Sequence, residues 1–152
     1  MTKLLSLTMK RNKNIKIFFI VSVFGLLTNL VWENLQAPLY QGYNNFWQHF
    51  QICLIASLGD VAIIILLYVL FALIFRNILW FQNLNWKSIL FLIIIGTIIG
   101  IGIEKWALIT GRWNYTESML VIPFLNVGLI PVLQMMLLPL LTFYVAKKLY
   151  DR

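Results

Sequence analysis

Cysteine and histidine each occur once in this sequence, so Cys53 can close no intramolecular disulfide, and together with His49 it cannot assemble a zinc site. No metal and no cofactor is indicated. Charge is scarce as well: 11% of the 152 residues are charged and five are acidic. A soluble domain carries about a quarter. That shortage excludes a soluble globular fold, and 61% hydrophobic residues with a mean hydropathy of +0.86 exclude disorder. The net charge of +7 resembles a nucleic-acid footprint only until the cations are located. Lys3, Lys10, Arg11, Lys13 and Lys16 all precede the first apolar run, which reads as membrane topology, and no nucleic-acid partner is expected. Trp32, Glu33 and Pro38 follow that run in place of a small-residue cleavage site, so no cleavable signal peptide is expected.

What is present is long apolar runs. They predict an all-α polytopic membrane protein, a bundle of four transmembrane helices at about residues 15–33, 52–75, 88–108 and 119–146, forming a single transmembrane domain over 1–152. Lys and Arg number five before the first span, two between spans two and three and three after span four. The other two loops hold none and two. By the positive-inside rule both termini are cytoplasmic, and residues 34–51 and 109–118 face the other side. Trp32, Trp47, Trp80, Trp86, Trp106 and Trp113 all fall near span ends, as aromatic belts do.

The fourth run is irregular. Its 29 uncharged residues would make about 43 Å of helix, and Pro123, Asn126, Gly128 and Pro131 interrupt its first half. We expect residues 118–128 to be an interfacial or re-entrant entry segment, with the crossing starting near Leu129; a tilted, Pro-kinked helix is the alternative.

With so few acids, the depth of each can be counted. Span two needs residues before Asp60 to reach across the bilayer, which sets Asp60 roughly 6 to 12 Å inside the outer boundary. Similar counts bring Glu33 and Glu104 to the same boundary. Acids at such depth are costly, and a functional site is the default reading; the alternative for each is a satisfied hydrogen bond between helices. Asn29, Gln134 and Ser57 fall in the same layer and complete a candidate polar cluster. Asn29, Glu33 and Gln36 share one helix face, as do Cys53, Ser57 and Asp60. Gly96, Gly100 and Glu104 recur every four residues, so the acid shares a face with residues that allow close helix packing.

The segment Thr110-Gly111-Arg112-Trp113-Asn114-Tyr115-Thr116 places a cation and hydrogen-bonding groups on the outer side. Arg112 is placed to pair with Glu33 or Glu104, or to bind a lipid phosphate or anionic substrate. His49 is a candidate general acid or base near Glu33, or else an interfacial loop residue. Candidate catalytic groups are therefore Asp60, Glu33, Glu104 and His49. Candidate ligand-binding groups are Arg112, Trp113, Tyr115, Gln134 and Asn29.

The stretches Asn29-Leu-Val-Trp32-Glu33-Asn-Leu-Gln36-Ala-Pro38-Leu-Tyr40, Ala56-Ser-Leu-Gly59-Asp60, Gly111-Arg112-Trp113-Asn-Tyr115 and Gly128-Leu-Ile-Pro131-Val-Leu-Gln134 resemble those of an uncharacterised family of small bacterial four-span integral membrane proteins. The resemblance implies a multi-pass location in the bacterial inner (cell) membrane and no activity.

Three functions stand open. One is lipid binding, or an intramembrane enzyme, for a lipid-like or isoprenoid-like ligand entering from the outer leaflet, with carboxyl acid/base chemistry and one acid held protonated. The second is a proton- or ion-coupled transporter acting as a homo-oligomer, with Asp60 or Glu33 as coupling group. The third is a structural or assembly subunit. From Val61 to Phe75 only Tyr68 is polar, and the inner half of span three offers only Ser88, which favours a pocket open on one side. Membrane lipids are the expected partners.

Overall fold

The computed structural model describes residues 2–150, with side chains described from residue 15 onward. The side chains of Lys3, Lys10, Arg11 and Lys13, and residues Asp151 and Arg152, lie outside the described residues. The protein is all-α apart from one small hairpin. Its elements are α1 (Thr2–Gln36), α2 (Phe46–Ile74), α3 (Trp86–Ile109), β1 (Val121–Ile122), β2 (Val127–Gly128) and α4 (Leu129–Tyr150). Among the described residues four helices are long and apolar enough to cross a membrane, so the chain is a multi-pass membrane protein.

Local chemistry sets the helix ends. Asn45 and Asn85 cap α2 and α3, their side-chain oxygens accepting from the Gln48 and Ser88 backbone N–H at 3.1 and 2.9 Å. Gly111, at φ 66°, takes the left-handed conformation just past α3. Pro38 lies in a 3-10 turn, Ala37–Leu39, that ends the first span.

The start of α2 differs from the sequence expectation, and the start of the fourth helix agrees with it. α2 begins at Phe46, six residues before the expected start, because Gln48 and Gln51 are exposed while Asn45 supplies the cap. The fourth helix starts where the sequence places the crossing, near Leu129, and residues 118–128 precede it as an entry segment. Val121–Ile122 pairs antiparallel with Val127–Gly128, and the helix starts at Leu129, whose N–H donates to Leu120 O at 2.7 Å. Pro123, in the turn between the strands, has no N–H to give a helix there, whereas Pro131 is accommodated in the first turn of α4, where that donor is not needed.

α1 packs against α2 and α4, and α3 packs against α4, while α2 and α3 share no extended interface. Gly96 and Gly100 allow the α3–α4 contact: a Cβ on Gly96 would lie 2.2 Å from Met135 O, and one on Gly100 would lie 3.2 Å from the Met135 Cβ. Large apolar side chains such as Phe19, Leu27, Val31 and Leu66 face outward along the helices.

The two ends of the bundle differ in polarity. At the end of the α2–α3 connection, Ile17, Val21, Ile64, Leu67, Phe71, Trp80, Phe81, Leu92 and Phe143 form an apolar core. Trp80 is a correction to the aromatic-belt expectation, for it is 3% exposed and packs 4.8 Å from the Phe71 ring and 4.9 Å from Phe143. Its Nε1 donates to Tyr68 O at 3.1 Å, so its polar atom is satisfied inside the protein. At the opposite end the segment after α1 joins the segment after α3. Gln41 N–H donates to Asn114 O and Thr116 N–H to Leu39 O, each at 2.9 Å, around the Tyr40–Tyr115 bridge.

Candidate functional site

Beneath that bridged cap lies a cavity of about 540 Å³ walled by all four helices. α1 contributes Glu33 and Gln36, α2 His49, Cys53, Gly59 and Asp60, α3 Glu104, and α4 Gln134. Tyr40, Arg112 and Trp113 close it from the cap.

Gln134 is the centre of the polar network. Its Nε2 donates toward Glu33 Oε1 at 2.8 Å, Asp60 Oδ2 at 2.8 Å and Asn29 Oδ1 at 3.0 Å. Gln36 Nε2 donates to Glu33 Oε1 and Gln134 Oε1, both at 2.8 Å. Glu33 Oε1 and Asp60 Oδ2 both accept from the one Gln134 Nε2, which brings the two carboxyl groups together. Donors are fewer than acceptors here. An amide nitrogen has two hydrogens, Gln134 faces three oxygens with them, and the buried Gln36 Oε1 receives no donor.

Glu104 sits across the cavity with its own partners. It accepts from Tyr115 Oη and, at 3.3 Å, from Trp113 Nε1. Tyr115 Oη in turn accepts from the Gly128 N–H at 2.8 Å, which ties the acid to the hairpin. Burial, and the hydrogen bond given to Glu104, push the Tyr115 hydroxyl well above the ordinary phenol range. The Tyr40 hydroxyl is also raised, first by burial and then by the nearby Glu104 and Glu33 carboxyls. Both phenols therefore stay protonated and can donate.

Glu33, Asp60, Glu104, His49, Arg112, Trp113 and Gln134 all line the one cavity. Asn29 lies behind it, fully buried, held by Gln134 and by its own Nδ2 donating to Gly25 O at 2.8 Å. Tyr115 acts through Glu104 and does not line the wall. His49 reaches the rim and packs 5.2 Å from the Tyr43 ring.

Two expectations are corrected. Arg112 pairs with neither Glu33 nor Glu104; among the described residues it forms no ion pair, and its guanidinium lies 5.3 Å over the exposed Trp106 ring, where solvation costs it nothing. Ser57 does not join the cluster, because its hydroxyl donates to Cys53 O at 2.7 Å on its own helix. Asp60 sits further from the start of its helix than a start near residue 52 implies. From Phe46, Asp60 is about 21 Å along α2, yet level with Glu33, so the first turns of α2 rise past the end of α1.

Tyr40 and Gln36 are site residues absent from the candidate set. Gln36 carried a signal, its helical spacing from Asn29 and Glu33. Tyr40 carried none, since its place depends on the pairing with residue 115. Among the described residues no three His, Cys, Asp or Glu side chains are grouped to hold a metal ion.

Fold and site together define a four-helix membrane protein with a polar, acid-lined cavity toward one end. No protein-family model, curated protein or solved structure matches the chain.

Proposed function

We propose that this protein binds a lipid-like or isoprenoid-like ligand from the outer leaflet of the bacterial inner membrane and acts on it by carboxyl acid/base chemistry, with both termini in the cytoplasm. The observation that carries this reading is the convergence of Glu33, Asp60 and Glu104, from three helices, on one cavity whose remaining wall is mainly apolar, with Ile52, Ala56, Ile63, Ile103 and Met135. The Glu33 and Asp60 carboxyl groups meet on one Gln134 amide nitrogen, so a proton shared between them offers an acid and a base at one place. Glu104, braced by Tyr115 and Trp113, is a second polar contact across the cavity. Gln134 and Asn29 position the pair and do not themselves exchange protons.

The test is the nearly isosteric Asp60→Asn substitution, whose amide oxygen still accepts from Gln134. Wild-type protein purified in mild detergent is expected to carry one apolar species enriched over bulk membrane lipid by mass spectrometry. The variant is expected to keep its helical circular dichroism and lose that species. Bulk lipid composition on both forms, or a variant that simply fails to fold, would support a structural role for the acids instead.

A further inference from the structure

The cavity continues toward the bilayer. α2 and α3 are held together through α1 and α4 and share no extended interface of their own. At the far end the gap closes where the Phe71 and Phe91 rings lie 5.2 Å apart. Between that closure and the acids is a second hollow of about 370 Å³, lined by Ile63, Leu66, Leu67, Leu70 and Ile99. Ile63 lines both hollows, so they adjoin along α2. Ile63, Leu66, Leu67 and Leu70 fall on a single stripe of α2, which makes one furrow, and Leu66 at 67% exposed and Leu70 at 41% set its lip at the lipid-facing surface.

We infer that the α2–α3 gap is the side entrance from the membrane to the cavity and seats one linear hydrocarbon chain, whose polar end, lying among Glu33, Asp60 and Glu104, is a hydroxyl or an ammonium rather than a phosphate or carboxylate. This rests on the ligand-binding proposal above and adds the route, the orientation and the class of head group. The head-group class follows from the hydrogen-bond inventory. The four amide hydrogens of Gln134 and Gln36 are shared among Asn29, Glu33, Asp60 and Gln134, and the Gln36 carbonyl oxygen is left with none. Among the described residues no Lys or Arg pairs with any of the three acids, and Arg112 stays at the rim over Trp106. A donor-bearing head supplies hydrogens to the Gln36 carbonyl and the carboxyl oxygens, whereas an anionic head would meet three carboxyl groups, none of them paired with a Lys or Arg among the described residues. The tail goes to the furrow because it is the apolar hollow that adjoins the acid-lined cavity at Ile63.

Gly59 provides the means of testing this. It lines the cavity beside the entrance, and a Cβ there meets nothing within 4 Å, so a larger side chain fills space without displacing protein. Gly102 is equally unobstructed but lies outside the lining, which makes it the control. The full chain in phosphatidylcholine nanodiscs would be photolabelled with hexadecanol, hexadecylamine and hexadecyl phosphate, each carrying a mid-chain diazirine. The alcohol and amine are expected to label residues 63–70 about tenfold more than the phosphate does, since like charges in an apolar site repel. Gly59→Phe, and Leu66→Trp at the lip, are expected to cut that labelling about tenfold by occupying the entrance, with Gly102→Phe unchanged.

Labelling spread evenly over lipid-facing positions such as Leu27 and Ile98, and insensitive to both blocking variants, would overturn the entrance. Equal labelling by the phosphate would overturn the head-group class. If thermal stabilisation by hexadecanol survives Gly59→Phe and Leu66→Trp but is lost in Asp60→Asn, the entrance is wrong and the cavity proposal stands. If all three variants are stabilised like wild type, both fall.

Discussion

Tyr115 joins three parts of the molecule through one oxygen: it donates to Glu104, accepts from the Gly128 N–H, and belongs to the segment bridged to residue 40. Tyr115→Phe leaves a carboxyl oxygen and a backbone N–H without that partner, and is expected to lower stability by about 1 to 3 kcal/mol. Tyr40 faces the same cavity with no hydrogen bond from its hydroxyl to a described residue, so Tyr40→Phe is expected to cost less than about 1 kcal/mol while weakening ligand binding. Thermal denaturation in detergent separates the two, and equal losses would mean that the Glu104 contact carries no stability. Much of the site was legible at this scale because charge is so scarce: Glu33 and Asp60 stand out in apolar runs, and helical spacing already aligns Asn29, Glu33 and Gln36. Ser57 misled because a mid-helix serine can satisfy itself on the carbonyl four residues earlier, and spacing alone cannot tell that from a partner across the bundle.

Among the elements, α3 and α4 approach each other most closely, and two glycines of α3 make opposite predictions. A Cβ at Gly96 would collide with the Met135 carbonyl, so Gly96→Ala is expected to destabilise the protein by about 1 to 3 kcal/mol through forced separation of the helices. Gly102 faces open space, where alanine gains up to about 1 kcal/mol of helix propensity. Melting temperatures of the two variants should move in opposite directions, and a shared direction would show that the α3–α4 contact adapts. The hairpin before α4 holds Phe124 at φ 67° with its side chain 98% exposed. Phe124→Gly removes a left-handed strain of about 1 kcal/mol, while Phe124→Ala keeps it, so only the glycine variant is expected to melt later. The hairpin was hidden in the sequence because residues 118–128 are uncharged, and hydropathy does not distinguish a short apolar hairpin from the first turns of a span. The prolines and glycine marked the break, but the pairing of residues 121 and 128 is a non-helical contact that no 3.6-residue period encodes.

For the whole molecule, four apolar helices follow directly from the charge-free runs, whereas the order in which they pack does not. All four helices have apolar outer faces, so nothing in hydropathy says that α2 and α3 stand apart while α1 and α4 hold the centre. That arrangement decides between a pocket and a path. Below the Glu33–Asp60 pair the interior is filled by Ile64, Leu67, Phe71, Trp80, Phe81 and Phe143, with Trp80 wedged between Phe71 and Phe143. A proton or ion crossing the chain would need hydrogen-bonding groups through this layer, and the buried Ser22 and Thr142 hydroxyls make no hydrogen bond to a described residue. Protein reconstituted into liposomes with an internal pH dye is therefore expected to show no flux above protein-free vesicles when the outside is acidified. Acid-driven flux that disappears in Asp60→Asn would mean that the apolar layer opens, and the one-sided pocket would have to be abandoned. Trp80→Ala removes the wedge itself, at a cost of about 3 to 5 kcal/mol in packing, so it is expected to destabilise the bundle from the sealed end while leaving the acids and their hydrogen bonds in place.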